Sequence, residues 1–122
     1  MSALRAHFDV DVDTATPEAF ARLSGDWNPL HTNPEYASHT VYGRPILHGA
    51  ATLGIGAHAI VRELDYSAER LASISARFFR PVFPGETIRT EMWPTPTRIS
   101  FQCRVLGRDE IVLTNGLATL RV

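Results

Sequence analysis

After a short alternating opening, "HFDVDV", the apolar positions of this chain fall into two regimes that meet near Arg70. In the opening itself Phe8, Val10 and Val12 share one face, which predicts a first strand. "TPEAFARLS" then predicts a helix with Thr16 as N-cap, Pro17 at the first helical position and Glu18 just inside. Gly25 stands where that helix stops. "NPEYASH" predicts a second, shorter helix capped by Asn33 with Pro34 at its first position. From Leu47 to about Leu64 there is no proline, and alanine, leucine, isoleucine and valine lie nearly all round the helical wheel. That distribution predicts a long enclosed helix. Its small residues, among them Gly49, Ala50 and Gly54, leave room for close approach to the backbone. A helical glycine costs up to about 1 kcal/mol relative to alanine, so close packing or a ligand must compensate.

Beyond Arg70 the period becomes two. Ile74, Ala76 and Phe78 alternate with Ser73, Ser75, Arg77 and Phe79, and Ile88, Thr90 and Met92 alternate with Arg89, Glu91 and Trp93. Ile99, Phe101, Cys103 and Val105 follow, and a last strand runs from about Ile111 to Val122. "PVFPGE", "PTPT" and "GRDE" supply the turns. Four such strands with tight connections predict an antiparallel meander. A long buried helix and a sheet bury each other's apolar surface only if the sheet wraps the helix. The expected fold class is therefore α+β, one domain over residues 1–122.

Composition narrows the setting. A formal net charge of −1 gives no basic field for nucleic acid or an anionic membrane. The twelve basic residues are all arginines, the cation whose planar fork suits phosphate. Cys103, the single cysteine, excludes an internal disulfide and fits a small core residue in a reducing compartment. "MSALRAHFDV" lacks the apolar run of a signal peptide. "ILHGAATLGIGAHAIV" is too short to span a bilayer and carries His48 and His58. The expectation is a soluble cytoplasmic protein with neither nucleic-acid nor membrane partners.

One stretch resists reading as plain scaffold. "SGDWNPLHTNPEYA", Ser24 to Ala37, has the density of turn formers of a surface loop, yet carries Asp26 and His31 five positions apart with Asn28 and Pro29 between them. A carboxylate and an imidazole on one tightened loop can converge on one water, as general acid–base chemistry requires.

"GDWNPLH" (Gly25 to His31) resembles the Gly-Asp-x-Asn-Pro-x-His signature of the MaoC-like, R-specific enoyl-CoA hydratases, the hydratase 2 family. "RPILHGAATLG" and "FFRPVFPGET" resemble that family's opening of its central helix and the strand and turn after it, in the same order and spacing. The resemblance covers essentially the whole chain and implies a single hot-dog domain, an antiparallel sheet wrapped round a long central helix. It implies reversible hydration of a trans-2-enoyl thioester to the R-3-hydroxyacyl thioester, with coenzyme A or acyl carrier protein as substrate carrier and no metal or redox cofactor. Asp26 is then the general base, His31 the partner acid, Asn28 the residue that holds the pair, and the backbone N–H of Gly49 the oxyanion donor. Ala50 joins the substrate-binding set beside it.

Several relatives carry a serine where this chain has Ala57. Arg44, Arg77 and Arg80 are candidate phosphate contacts for the carrier arm. Asp26, His31, His39 and His48 show none of the usual close-paired metal-ligand spacings, so no metal site is expected. His48 reads as structural, bonding backbone where the long helix begins. Leu71, Phe79, Trp93 and Leu106 are read as an apolar outer sheet face, which predicts a homodimer. Three rivals stand beside the hydratase reading: a 3-hydroxyacyl-ACP dehydratase, a thioesterase of the same fold, and a non-catalytic hot-dog subunit.

Overall fold

The computed structural model describes residues 6–121. Strand β1 (Ala6–Asp11) leads to helix α1 (Thr16–Ser24), two short helices α2 (Pro29–Thr32) and α3 (Pro34–Ser38), and the long helix α4 (Gly49–Glu63). A 3₁₀ turn at Ala68–Arg70 precedes β2 (Leu71–Phe78), β3 (Thr87–Pro94), β4 (Arg98–Val105) and β5 (Glu110–Leu120). All strand pairs are antiparallel, in one five-stranded sheet of order β1-β3-β4-β5-β2. This is the α+β hot-dog arrangement, with α4 against the inner face of the sheet.

The strand order corrects the meander. Strands β3, β4 and β5 do follow one another, but β2 pairs with β5 and not with β3. "PVFPGE" still forms its local turn, with Gly85 at φ +95° and the Glu86 N–H donating to Phe83 O at 3.2 Å. That turn ends a crossing from one side of the sheet to the other. The reason is burial: α4 needs a surface wide enough to cover its apolar flank, and placing β2 and β1 at opposite edges curls the sheet around it. Ile60, Ile88, Met92, Ile99 and Leu113 are wholly buried between helix and sheet. Each such side chain contributes roughly 1.5–3 kcal/mol relative to exposure.

Alternation tracks the inner face well: β3 and β4 bury Ile88, Thr90, Met92, Ile99, Phe101, Cys103 and Val105. Burial pushes the Cys103 thiol up to about 11, so it behaves as a core residue. Glycine is required at Gly116, where a Cβ would fall inside the contact distance of the Phe101 carbonyl and 2.7 Å from its ring.

Three further expectations change. Thr16 begins α1 but does not cap it; Ala15 is the N-cap residue, and its N–H is held by Asp13 Oδ1 at 2.8 Å. Helix α4 is buried along Ala51, Thr52, Gly56, Ala59 and Ile60, whereas Ala50, Gly54, His58 and Arg62 form an open flank at four-residue spacing. Trp93 does lie on the outer sheet face, but its neighbours there are polar, since Asp9 pairs with Arg89 and Glu91 with Arg104 and Gln102. Leu71 packs on the core instead, and Phe79 and Leu106 lie beyond the strand ends.

Candidate active site

Local hydrogen bonding builds the site from the stretch first read as a loop. Gly25, at φ +81°, ends α1 in the left-handed conformation and turns the chain back. The Asp26 N–H donates to Ser24 Oγ at 3.2 Å, and Asp26 Oδ1 accepts from the Asn28 N–H at 3.2 Å. Asn28 Oδ1 in turn accepts from the Leu30 N–H at 3.0 Å, which makes Asn28 the N-cap of α2 with Pro29 at its first position. The signature is thus a pair of side-chain turns feeding one helical turn. Asn28 sets where His31 points by starting the helix that carries it. Asn33 caps α3 in the same way, accepting from the Tyr36 N–H at 3.1 Å.

His31 is half-buried and its Nδ1–H donates to the Ile46 carbonyl at 2.9 Å, leaving Nε2 as the free nitrogen. His48 lies beneath it, 1% exposed, with ring centroids 3.9 Å apart and planes inclined by 25°. His48 Nε2–H donates to the Asp26 backbone carbonyl at 3.0 Å, and Phe20 packs on its ring at 4.7 Å. That is the backbone bond expected of it. Among the described residues its buried Nδ1 has no partner, an arrangement that costs about 1–3 kcal/mol.

Side-chain ligand atoms of Asp26, His31 and His48 lie within 4.8 Å of one another. Sequence spacing gave no sign of this cluster, because His48 arrives from a different helix. A metal must lie in the plane of each imidazole it binds, and two stacked rings direct their lone pairs along separate planes. The set therefore fits shared protons and a water better than a common ion.

His48 is also the N-cap of α4. The Ala51 and Thr52 N–H groups return to the His48 carbonyl at 3.0 and 3.2 Å, so the Gly49 and Ala50 N–H groups stand outside the helix's own ladder. These free donors and the helix dipole favour negative charge at this point.

Two cavities meet at His31. The larger, about 690 Å³, is lined by Glu18, Trp27, Thr32, Asn33, Arg44 and others. The smaller, about 280 Å³, runs past Gly49 and Thr52 to Tyr42, Phe78, Phe79 and Val82. Arg44 stands over the Phe83 ring at 4.0 Å in the larger cavity, and Arg80 over Phe79 at 4.9 Å in the smaller. Arg77 is exposed on β2 and lines neither cavity. Tyr42 and Val82 carried no sequence signal. Thr52 did, since three residues after Gly49 is the same helix face.

The crossing segment that lines both cavities is anchored by Arg108. Its guanidinium donates to both Glu86 oxygens, at 2.7 and 3.0 Å, and to Pro81 O at 2.7 Å, and it also pairs with Glu110. Burial opposes ionisation of Glu86, but Arg108 and the Phe83 N–H outweigh it and hold the carboxyl below its ordinary range.

A five-stranded antiparallel sheet around a long helix, with Asp26 and His31 gathered near that helix's N-terminus, defines the class: a small α+β domain of hot-dog fold. The chain belongs to the MaoC like domain family, which it matches over residues 2–115. It is 44% identical over 120 residues to 3-hydroxyacyl-thioester dehydratase Y of Mycobacterium tuberculosis, covering 90% of this chain and 41% of that protein. It is 47% identical over 95 residues to the peroxisomal enoyl-CoA hydratase 2 of Arabidopsis thaliana, covering 75% of this chain and 30% of that protein. The chain thus spans less than half the length of either relative. Among solved structures, a MaoC-like dehydratase from Phytophthora capsici superposes with a TM-score of 0.93 at 31% identity, over 98% of this chain and 41% of that one. An (R)-hydratase from A. caviae superposes with a TM-score of 0.82 at 25% identity, over 100% of this chain and 97% of that one.

Proposed function

We propose that this domain is a hydro-lyase that adds water reversibly to a trans-2-enoyl-CoA to give the R-3-hydroxyacyl-CoA. The observation that carries the reading is the convergence of Asp26 and His31 beside the free N–H of Gly49, at the meeting point of two cavities. Relatives named enoyl-CoA hydratase and 3-hydroxyacyl-thioester dehydratase support it.

The chemistry follows from the atoms left free. One Asp26 oxygen accepts from Asn28, so the other takes the proton of a water whose oxygen adds to the β-carbon. His31, in its imidazolium form with Nδ1–H fixed on Ile46, delivers the Nε2 proton to the α-carbon. Return of the proton from Asp26 to His31 resets the site. Charge gathering on the thioester oxygen meets the Gly49 N–H, with Ala50 next to it. No metal or redox cofactor enters this scheme. In this scheme Arg44, rather than Arg77, meets the carrier's phosphates, a role supported by its lying along the larger cavity.

The test is incubation with a short trans-2-enoyl-CoA, following loss of the conjugated thioester absorbance and the configuration of the product. Absence of turnover in both directions would refute the reading. Faster dehydration of an ACP-bound hydroxyacyl substrate would favour the dehydratase named among the relatives, and release of free thiol would indicate a thioesterase. A second copy of the chain is also proposed, on new grounds. β2 is an edge strand without lysine or proline, and exposed Phe78 and Phe79 lie at its end, Phe78 against Gly49 at the start of α4. Sedimentation of a fully active monomer at micromolar concentration would rule that out.

A further inference from the structure

We propose that His48 is a positioning residue, whose imidazole fixes Asp26 and His31 relative to one another and to the Gly49 N–H. The inference rests on the functional reading of that pair. Asp26 lies in a stretch, Gly25–Asn28, that is exposed throughout. Its other hydrogen bonds reach only Ser24 and Asn28, two residues away on either side. Among the described residues, one hydrogen bond ties the Asp26 peptide to the body of the fold: the 3.0 Å bond from His48 Nε2–H, across 22 residues of chain. The same ring lies under His31 at 3.9 Å and is itself pressed against Phe20. The His48 backbone caps α4, so Gly49 follows it directly.

Packing alone does not account for an imidazole here. A fully buried ring with an orphaned Nδ1 is a poorer filler than an apolar side chain of similar size. What only the imidazole supplies is a donor at Nε2 combined with a flat face. The donor holds the carbonyl of one reacting residue, and the face limits the tilt of the other. Since α2 carries His31 on a single helical turn, nothing longer-ranged than the Ile46 bond and this stack defines the ring plane.

The experiment compares His48→Leu with His48→Gln in the full chain. Leucine keeps apolar volume and loses the donor, whereas the glutamine amide nitrogen reaches about where Nε2 sits. With a short enoyl-CoA, His48→Leu is expected to lower kcat by about 100-fold with KM within about 2-fold, the size of effect produced by a displaced reacting group. His48→Gln is expected to recover most of that loss. Equal kcat in two variants that melt like the parent would overturn the proposal. So would a loss in both that only tracks their folded fraction. If His48→Leu does not fold, His48→Asn replaces it, because its amide stops short of the Asp26 carbonyl; equal rates for Asn and Gln then refute the assignment.

A readout without substrate separates this inference from the hydratase reading. Long-range ¹H–¹⁵N spectra are expected to show Nδ1 of His31 protonated, with its imidazole signals displaced and its Nδ1 proton exchanging faster in the variant lacking the donor. Unchanged His31 signals in a folded His48→Leu protein would overturn the positioning role whatever the reaction proves to be.

Discussion

Gly49→Val separates a backbone donor from a packing glycine. A Cβ at Gly49 would first meet the Phe78 ring, at 3.2 to 3.4 Å, and that ring is 57% exposed and free to turn away. Gly49 itself is exposed and does not occupy a left-handed conformation. Stability should therefore change by no more than about 0.5 kcal/mol, as for ordinary surface substitutions. Function should not be spared. The branched side chain enters the smaller cavity beside the free N–H and displaces the thioester oxygen from it. Removing one oxyanion donor costs roughly 100- to 1,000-fold in turnover, about 2.7–4 kcal/mol of barrier. Gly116→Ala is the control. Its Cβ would collide with the Phe101 carbonyl and ring inside the sheet, an overpacking worth about 1–3 kcal/mol or more. That variant should lose activity only in step with its folded fraction. Thermal melting and loss of enoyl-CoA absorbance, run on both variants, decide the matter. A Gly49→Val protein that melts and turns over like the parent would remove Gly49 from the mechanism.

Asp26→Asn and His31→Gln are each expected to lower kcat by about 100- to 10,000-fold with the melting temperature preserved. The double variant should be little worse than either single one, because the pair serves one water; multiplicative losses would contradict that. Arg44→Met should raise KM for the CoA thioester with kcat nearly unchanged, and Arg77→Met should do neither; the reverse pattern would move the carrier arm to the sheet edge. For Glu86 the folded pKa lies below the ordinary 4.5. Its contribution to stability is therefore full above pH 4.5 and is lost as the pH falls through the lower folded value. Arg108→Met should move that loss to higher pH, which melting curves between neutral and acid pH would show.

Much of the site was legible because its geometry is local. Asp26, Asn28 and Leu30 are linked by side-chain turns two residues long, and Pro29 and Pro34 each begin a helix next to an asparagine cap. Short-range turn chemistry of this kind is written in residue type and spacing, so the motif and its polarity could be read directly. Its helical turn at Pro29–Thr32 was missed because four residues are too few to show a period.

The sequence by itself determined the alternation of β3 and β4, the long helix and the burial of Cys103, and it marked Asp26 and His31 as members of one local motif. Alternation and helical period depend only on which side chains must leave water. Tertiary structure alone decided that β2 joins β5, that Leu71 turns inward, that Arg44 lines a cavity while Arg77 does not, and that His48 comes to rest between Asp26 and His31. Each of these joins residues far apart in the chain. Such pairings are chosen by how the sheet closes over α4 and which surfaces fit together, a global competition that no local period encodes.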